Sequence, residues 1–179
     1  RPDIERGCRL SDALARMLRD HGSCKEALRM FHDILQRSEA ELGPDHVVTL
    51  QTVNQMAVTY QRLQRPEKAK QRHLEALARR ERIFGESHPE TLQSVSNLAI
   101  LLGDSEDPED TSAARAFFTR AVQGRRQAAP DHPSTLYTVS CYAKLLSCGR
   151  RSSMADLTAA AGMHAEAVEK LGKALGKGH

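Results

Sequence analysis

Three stretches of the chain carry nearly the same sequence. Residues 43–57 read GPDHVVTLQTVNQMA, residues 85–99 read GESHPETLQSVSNLA, and residues 129–143 read APDHPSTLYTVSCYA. Their histidines, His46, His88 and His132, lie 42 and 44 residues apart. A period of about 20–50 residues is typical of proteins that stack one structural unit repeatedly. The sequence therefore predicts a repeat protein.

Small residues recur at fixed places within each unit. An alanine follows each histidine loop, and a second pair of alanines, seven residues apart, comes later in the unit. The residues concerned are Ala57, Ala69 and Ala76, then Ala99, Ala114 and Ala121, then Ala143, Ala167 and Ala174. Seven residues are two helical turns, so both members of a pair lie on one helix face. A shift of 42 residues towards the N-terminus finds Ala15, Ala27 and Ile34, which indicates a further unit there.

Apolar residues between these positions keep helical spacing. Val53, Met56, Ala57 and Tyr60 form the stripe of an amphipathic helix, and Leu14, Ala15 and Leu18 form it in the first unit. Each unit is thus predicted to be two antiparallel helices. The repeats are placed at about 1–43, 44–85, 86–129 and 130–179. The fourth contains an insertion at about 149–162, with a mobile basic start and a helical tail.

The repeated loops have the composition of helix boundaries. Asp45, Ser87 and Asp131 are predicted to cap the free N–H groups of the helices that follow, and proline is tolerated in a first turn. Glycine is favoured where a helix ends, and Gly22, Gly43 and Gly85 lie at such places.

The order of small residues resembles the tetratricopeptide repeat: they lie twelve and then seven residues apart, with Leu or Met before the first. The period of 42 residues, with G-x-x-H-P-x-T-L leading into N-L-A, resembles the kinesin light chain type of this repeat. The best match is residues 85–102, and the likeness extends over about residues 5–175. It implies an all-α, right-handed superhelical solenoid of about four helix pairs in a single array. The turns after Ala99 and Ala143 are longer than the pattern.

The resemblance implies a non-enzymatic protein–protein interaction scaffold or adaptor. Family members bind a peptide or protein in a concave groove lined by the first helix of each unit. The residues predicted to contact the partner are Arg9, Arg16, Gln51, Asn54, Gln55, Arg62, Gln93, Asn97, Tyr137 and Lys144. Asn54 and Asn97 resemble asparagines that the family uses for this purpose. The simpler interpretation is a solvated polar helix face.

The charges refine this prediction. Arginines of the first unit favour an acidic segment in the partner. The Lys, Asn and Arg clamp of chaperone-binding members is absent, because the matching positions hold Asp12, Arg16, Gln55, Gln93 and Asn97. No stretch approaches 18 apolar residues, which predicts no membrane span.

Candidate chemistry is sparse. The three loop histidines occupy equivalent places in different repeats, so they cannot share one metal ion. Four cysteines without a CxxC motif indicate reduced thiols in an intracellular, cytoplasmic setting, although an organelle is not excluded. Cys141 is interpreted as a small packed residue rather than a regulated thiol. No catalytic or phosphate-binding motif occurs, so neither enzyme activity nor a cofactor is predicted.

Two alternatives stay open. The chain could be a structural subunit or assembly factor held in a larger complex through its helix ends, with Ala159–Ala161 and residues 168–175 as an exposed apolar end. It could also bind RNA through the pairs Arg125, Arg126 and Arg150, Arg151, although aromatic residues for base stacking are scarce. The insertion is a third candidate contact site. The chain begins with Arg rather than Met, which suggests a processed form or a piece of a longer protein.

Overall fold

The computed structural model describes residues 2–148 and 152–176, and within these residues it contains eight α-helices and no strand. The helices are α1 (Pro2–Asp20), α2 (Cys24–Glu41), α3 (Val47–Arg62), α4 (Pro66–Phe84), α5 (Pro89–Gly103), α6 (Pro108–Ala128), α7 (Pro133–Cys148) and α8 (Met154–Gly176). The predicted all-α class is confirmed.

The chain forms two compact units, residues 1–101 and 102–179. In the first, α1 packs on α2, α3 packs on α4, and α3 also contacts both α1 and α2. In the second, α7 packs on α6 and on α8. The division of the chain into four repeats of one array stays a prediction.

Alanines form the helix crossings of the first unit. Ala15, Ala27, Ala57, Ala69 and Ala76 are completely buried. A methyl side chain lets two helix backbones approach closely, and larger residues then fill the space beside the crossing. Phe31, Val53 and Met56 do so, and none of them is exposed to solvent. The small residues singled out in the sequence therefore mark helix contacts.

The helix ends agree with the predicted helix boundaries. Gly22, Gly43 and Gly85 have φ angles of 91°, 99° and 85°, in the left-handed region that glycine adopts without strain. Pro66 lies in the first turn of α4, where its missing N–H would have no helical partner.

The outer face of α1 differs from the prediction. Leu14 was expected in the buried stripe, but it is 51% exposed, together with Leu10 and Met17. One repeat later, the corresponding residues of α3 are Thr52, Met56 and Thr59. These three are completely buried, and α3 packs on α2. In the described part of the chain, no helix covers the matching face of α1.

The insertion is described only in part. Residues 149–151, which include Arg150 and Arg151, lie outside the described residues. Residues 154–162 begin α8, so the predicted helical tail is present. Oδ1 of Asp156 lies 2.8 Å from Nη1 of Arg115 on α6, which ties the start of α8 to that helix.

None of the described helices is long and apolar enough to cross a membrane.

Candidate functional site

Polar side chains join α1 to α3 in the first unit. Arg19 is buried, and its Nη1 donates to Oε1 of Gln55 at 2.6 Å. Oδ1 of Asp20 accepts from Nε of Arg19 at 3.2 Å and lies 3.1 Å from Nη2 of Arg62. The hydrogen bond from Arg19 holds the pKa of Asp20 below its ordinary value. These contacts bring the last turns of the two helices together.

An amide ladder, formed by Gln93, Asn97 and Asn54, connects α5 with α3. Nε2 of Gln93 donates to Oδ1 of Asn97 at 2.9 Å, and Nδ2 of Asn97 donates to Oδ1 of Asn54 at 2.9 Å. Asn54 is only 6% exposed, whereas Gln93 and Asn97 are half-buried. No described residue accepts a hydrogen bond from Nδ2 of Asn54. The ladder therefore holds three amides in fixed orientations across two helices.

A pocket of about 100 Å³ lies between α1 and α3. It is lined by Arg9, Asp12 and Arg16 of α1 and by Val48 and Gln51 of α3. Asp12 is only 4% exposed, and burial raises the pKa of its carboxyl although Arg16 and Arg19 act in the opposite direction. The pocket therefore contains a carboxylate that has lost most of its contact with water.

Eight of the ten predicted contact residues lie in the first unit. They fall into the pocket (Arg9, Arg16, Gln51), the amide ladder (Asn54, Gln93, Asn97) and the contacts between the ends of α1 and α3 (Gln55, Arg62). Tyr137 and Lys144 lie on α7 in the second unit, where both side chains are exposed. Binding by any of the ten residues stays a prediction.

Two further residues of this surface were not among the predicted contact residues. Val48 lines the pocket and Asp20 pairs with two arginines. Asp20 is the last residue of α1 and belongs to no recurring position, so the repeat carries no signal for it. Val48 lies two residues after its loop histidine, where the other two loops hold Glu90 and Ser134, so the repeat carries no signal for it either.

The loop histidines have a structural role that the sequence analysis assigned to their neighbours. Nδ1 of His46, His88 and His132 accepts from the backbone N–H two residues later, at 3.3, 3.2 and 3.2 Å. The prediction that Asp45, Ser87 and Asp131 are the caps is wrong, since the helix begins one residue later than that prediction requires. Asp45 instead pairs with Arg82, and Asp131 pairs with Lys170.

Two buried arginines tie a second helix to the start of the next first helix. Nη1 of Arg80 on α4 donates to the backbone oxygen of Glu90 at 2.9 Å and to Oγ of Ser94 at 2.8 Å. Nη1 of Arg125 on α6 donates to Oγ of Ser134 at 2.7 Å. Each arginine lies four residues after the second alanine of its pair. These contacts stabilise the succession of helices within each unit.

Of the four arginines considered for RNA binding, Arg150 and Arg151 lie outside the described residues, and the other two are engaged within the second unit. Arg125 is buried, and Arg126 pairs with Glu166 of α8. Burial raises the pKa of the Cys141 thiol, so the thiol is protonated at neutral pH, which favours its interpretation as a packed residue. In the described part of the chain, no group of three metal-ligating side chains comes together.

Comparisons with known proteins identify the family and the fold of the chain. The sequence pattern of the tetratricopeptide repeat family matches residues 8–80 and 49–127. The structure of BtubC (BKLC) from P. vanneervenii is similar over 96% of this chain, with a TM-score of 0.76 and 18% identity. This chain covers 65% of the length of BtubC.

A protein from Podosopora anserina, described as a kinesin light chain with nearly identical TPR-like repeats, is also similar. Its TM-score is 0.69 and its identity is 20%, with 94% of this chain and 92% of that chain covered. At these identities the structures show the fold alone, and the predicted helical-repeat fold is confirmed. No curated protein matches the chain.

Proposed function

Because the chain belongs to the tetratricopeptide repeat family, we propose that it is a non-enzymatic interaction module that binds an extended segment of a partner protein along α1, α3 and α5. The observation that carries this proposal is the amide ladder, together with the Arg19–Gln55 contact. It places hydrogen-bonding side chains from three successive first helices side by side. Such a row matches the repeated N–H and C=O groups of an extended backbone.

The ladder also reduces the cost of binding. Side chains that are free to rotate lose conformational entropy when a partner orders them, at about 0.5–1.5 kcal/mol each. Asn54 and Asn97 are already ordered by their mutual hydrogen bond. The unused Nδ2 of Asn54 is then the donor that we assign to a carbonyl oxygen of the partner.

The charge preference that we propose is modest. The arginines that favour an acidic segment already have carboxylate neighbours: Nη2 of Arg9 lies 2.7 Å from Glu5, Nε of Arg16 lies 3.0 Å from Asp12, and Arg62 pairs with Asp20. Their positive charge is therefore largely balanced on the same surface. An acidic partner should gain mainly in association rate at low salt, and this gain should shrink as salt is added.

Partner capture with matched variants tests the proposal. The purified protein is used to capture proteins from a cell lysate, with mass spectrometry as the readout and nuclease treatment in a parallel sample. The variant Asn54→Ala with Asn97→Ala removes two amides from α3 and α5. The control Gln36→Ala with Gln71→Ala removes two exposed amides from α2 and α4. Circular dichroism checks that both variants keep their helices.

The proposal predicts a partner that resists nuclease, is captured by the control, and is lost from the Asn54/Asn97 variant. A partner that the Asn54/Asn97 variant still captures would refute binding along the ladder. Capture that disappears with nuclease would instead favour RNA binding.

One observation favours the second candidate, a subunit held within a larger assembly. Leu10, Leu14 and Met17 are 66%, 51% and 59% exposed and form one stripe along α1. Val168 of α8, within the predicted apolar end, is 71% exposed, whereas Ala160 is buried. A partner that packs on the stripe of α1 should be lost when Leu10 and Leu14 are changed to serine and retained by the Asn54/Asn97 variant.

A further inference from the structure

The pocket between α1 and α3 contains an unsatisfied hydrogen-bond acceptor. Oδ2 of Asp12 lies 3.0 Å from Nε of Arg16. Oδ1 of Asp12 is buried and has no hydrogen-bond partner within the residues that the structure describes. Leaving a buried polar atom unpaired lowers the stability of the folded protein, and more so for a charged group. A ligand that donates to this oxygen recovers that free energy on binding.

Hydrogen-bond donors also line the pocket. Nε of Arg16 is also buried, and the orientation of the pair leaves it without a hydrogen bond in spite of its short distance to Asp12. Gln51 is half-buried, and its side-chain amide makes no hydrogen bond to another described residue. The pocket therefore offers one buried acceptor and at least one donor to the same small group.

We propose that this pocket binds a side-chain carboxamide, that of an asparagine or glutamine, in the partner segment. The carboxamide N–H donates to Oδ1 of Asp12, and its carbonyl oxygen accepts from Gln51 or Arg16. This inference rests on the proposed function, since it places the partner along the same first helices. It adds a preference for one kind of partner side chain to a surface that we otherwise propose to bind the partner's backbone N–H and C=O groups.

The size of the pocket fits this group. Its volume is about 100 Å³. A cavity needs about 10–15 Å³ by this measure to hold one water molecule, so the pocket has room for a group of several non-hydrogen atoms. A carboxamide head has three non-hydrogen atoms.

The charges around the pocket distinguish a carboxamide from an ion. A partner ammonium group would gain from Asp12, but it would lie beside the guanidinium groups of Arg9 and Arg16. A partner carboxylate would gain from the arginines, but it would bring a second negative charge to a carboxylate already removed from water. A carboxamide is neutral, so neither the arginines nor Asp12 repel it, and it both donates and accepts hydrogen bonds.

Three small probes of nearly equal size separate these possibilities. Propionamide, propionate and propylammonium are each titrated into the ¹⁵N-labelled protein, and shifts of the backbone amides of Asp12, Arg16 and Gln51 are followed by NMR. We expect propionamide to bind most tightly. The same spectra show whether each variant is folded, so a loss of binding cannot be confused with unfolding.

An Asp12→Asn variant provides the decisive comparison. The side-chain oxygen of the new asparagine should stay next to Arg16. Its NH2 group then occupies the position that Oδ1 of Asp12 has in the unchanged protein. Propionamide should then bind roughly tenfold more weakly, because a donor faces a donor, and propionate should become the preferred probe. The control Asp33→Asn changes an exposed carboxylate on α2 and should leave the order of the three probes unchanged.

Several results would overturn the carboxamide assignment. Stronger binding of propylammonium or propionate to the unchanged protein would make the pocket an ion site. Absence of shifts at all three residues would leave Asp12 as a structural group. Unchanged propionamide binding by Asp12→Asn would remove Asp12 from the site. If the probes behave as expected but the Asn54/Asn97 variant keeps its partners, the pocket stands and the peptide-binding proposal fails.

Discussion

Replacing the buried His73 by phenylalanine should change how the stability of this protein depends on pH. His73 lies on α4 between Ala69 and Ala76 and has no exposed surface. Its Nε2 lies 3.4 Å from Oε1 of Gln61, and its Nδ1 has no hydrogen-bond partner among the described residues. Phe118 occupies the corresponding place in the second unit and is also buried. Phenylalanine therefore suits this kind of position.

Burial, with a smaller contribution from Arg80, lowers the pKa of His73 from 6.5 to about 4. The unfolded chain thus binds a proton at this residue over a range in which the folded protein does not. The stability from this residue is complete above pH 6.5 and is lost as the pH falls towards 4. At 1.36 kcal/mol per pKa unit, the loss is about 2 kcal/mol between pH 7 and 5, and roughly 3 kcal/mol by pH 4.

The phenylalanine variant should lack this loss, and it should be about 1 kcal/mol more stable at pH 7. The unpaired Nδ1 disappears, which removes the cost of a buried unsatisfied group. The hydrogen bond to Gln61 is also lost, but at 3.4 Å it is long and weak. The variant should therefore gain relative to the unchanged protein at every pH, and most in acid.

Urea denaturation at pH 7, 6 and 5 measures this difference. The free energy of unfolding of His73→Phe should exceed that of the unchanged protein by a margin that grows by about 2 kcal/mol from pH 7 to pH 5. As a control, His21→Asn removes an exposed histidine from the turn between α1 and α2 and should keep the original pH dependence. A constant margin between the two proteins would show that burial of His73 does not determine its protonation.

Three other changes test the contacts described above. His88→Ala should lower the free energy of unfolding by about 1 kcal/mol in urea denaturation because α5 loses its cap, whereas His88→Asn should restore most of it, and equal losses would contradict the cap. Arg80→Met keeps the apolar stem but removes the donor to the carbonyl of Glu90 and the hydroxyl of Ser94, so it should cost about 2 kcal/mol in the same assay, and a neutral effect would contradict that role. Asp156→Asn should speed amide hydrogen exchange in the first turn of α8 at pH 7. The hydrogen bond with Arg115 holds the pKa of Asp156 well below its ordinary value, so in the unchanged protein exchange in this turn should become faster only in strong acid. Equal exchange rates in both proteins at pH 7 would refute the anchoring contact.

The helix boundaries were largely predictable because they depend on local sequence. The glycines at positive φ and the proline that opens α4 act through their own backbone preferences. The caps were assigned to the wrong residues, because Asp and Ser are the usual capping side chains and the sequence places them beside the histidines. Only the dihedral angles show that His46 is the N-cap residue of α3, with an extended backbone at φ −69° and ψ 144°.

Burial was predictable only where a neighbouring helix is present. Leu14 and Met56 occupy corresponding places, and both have the apolar character of a core residue. Met56 is buried because α3 packs on α2, whereas Leu14 of α1 is half exposed because no described helix covers it. Periodicity identifies the apolar face of a helix, but it carries no information about what covers that face.

The sequence by itself determined the repeat, the helix class and the set of polar residues on the first helices. These properties follow from spacing within one unit, where 42 residues are enough to specify two helices and their crossing. The tertiary structure decided how those polar residues are used. Asn54 bonds to Asn97 across 43 residues, Arg19 bonds to Gln55 across 36, and Asp12 keeps one oxygen unpaired. Each outcome depends on distances of a few ångströms between helices, and those distances are set by side-chain packing throughout the unit rather than by local spacing.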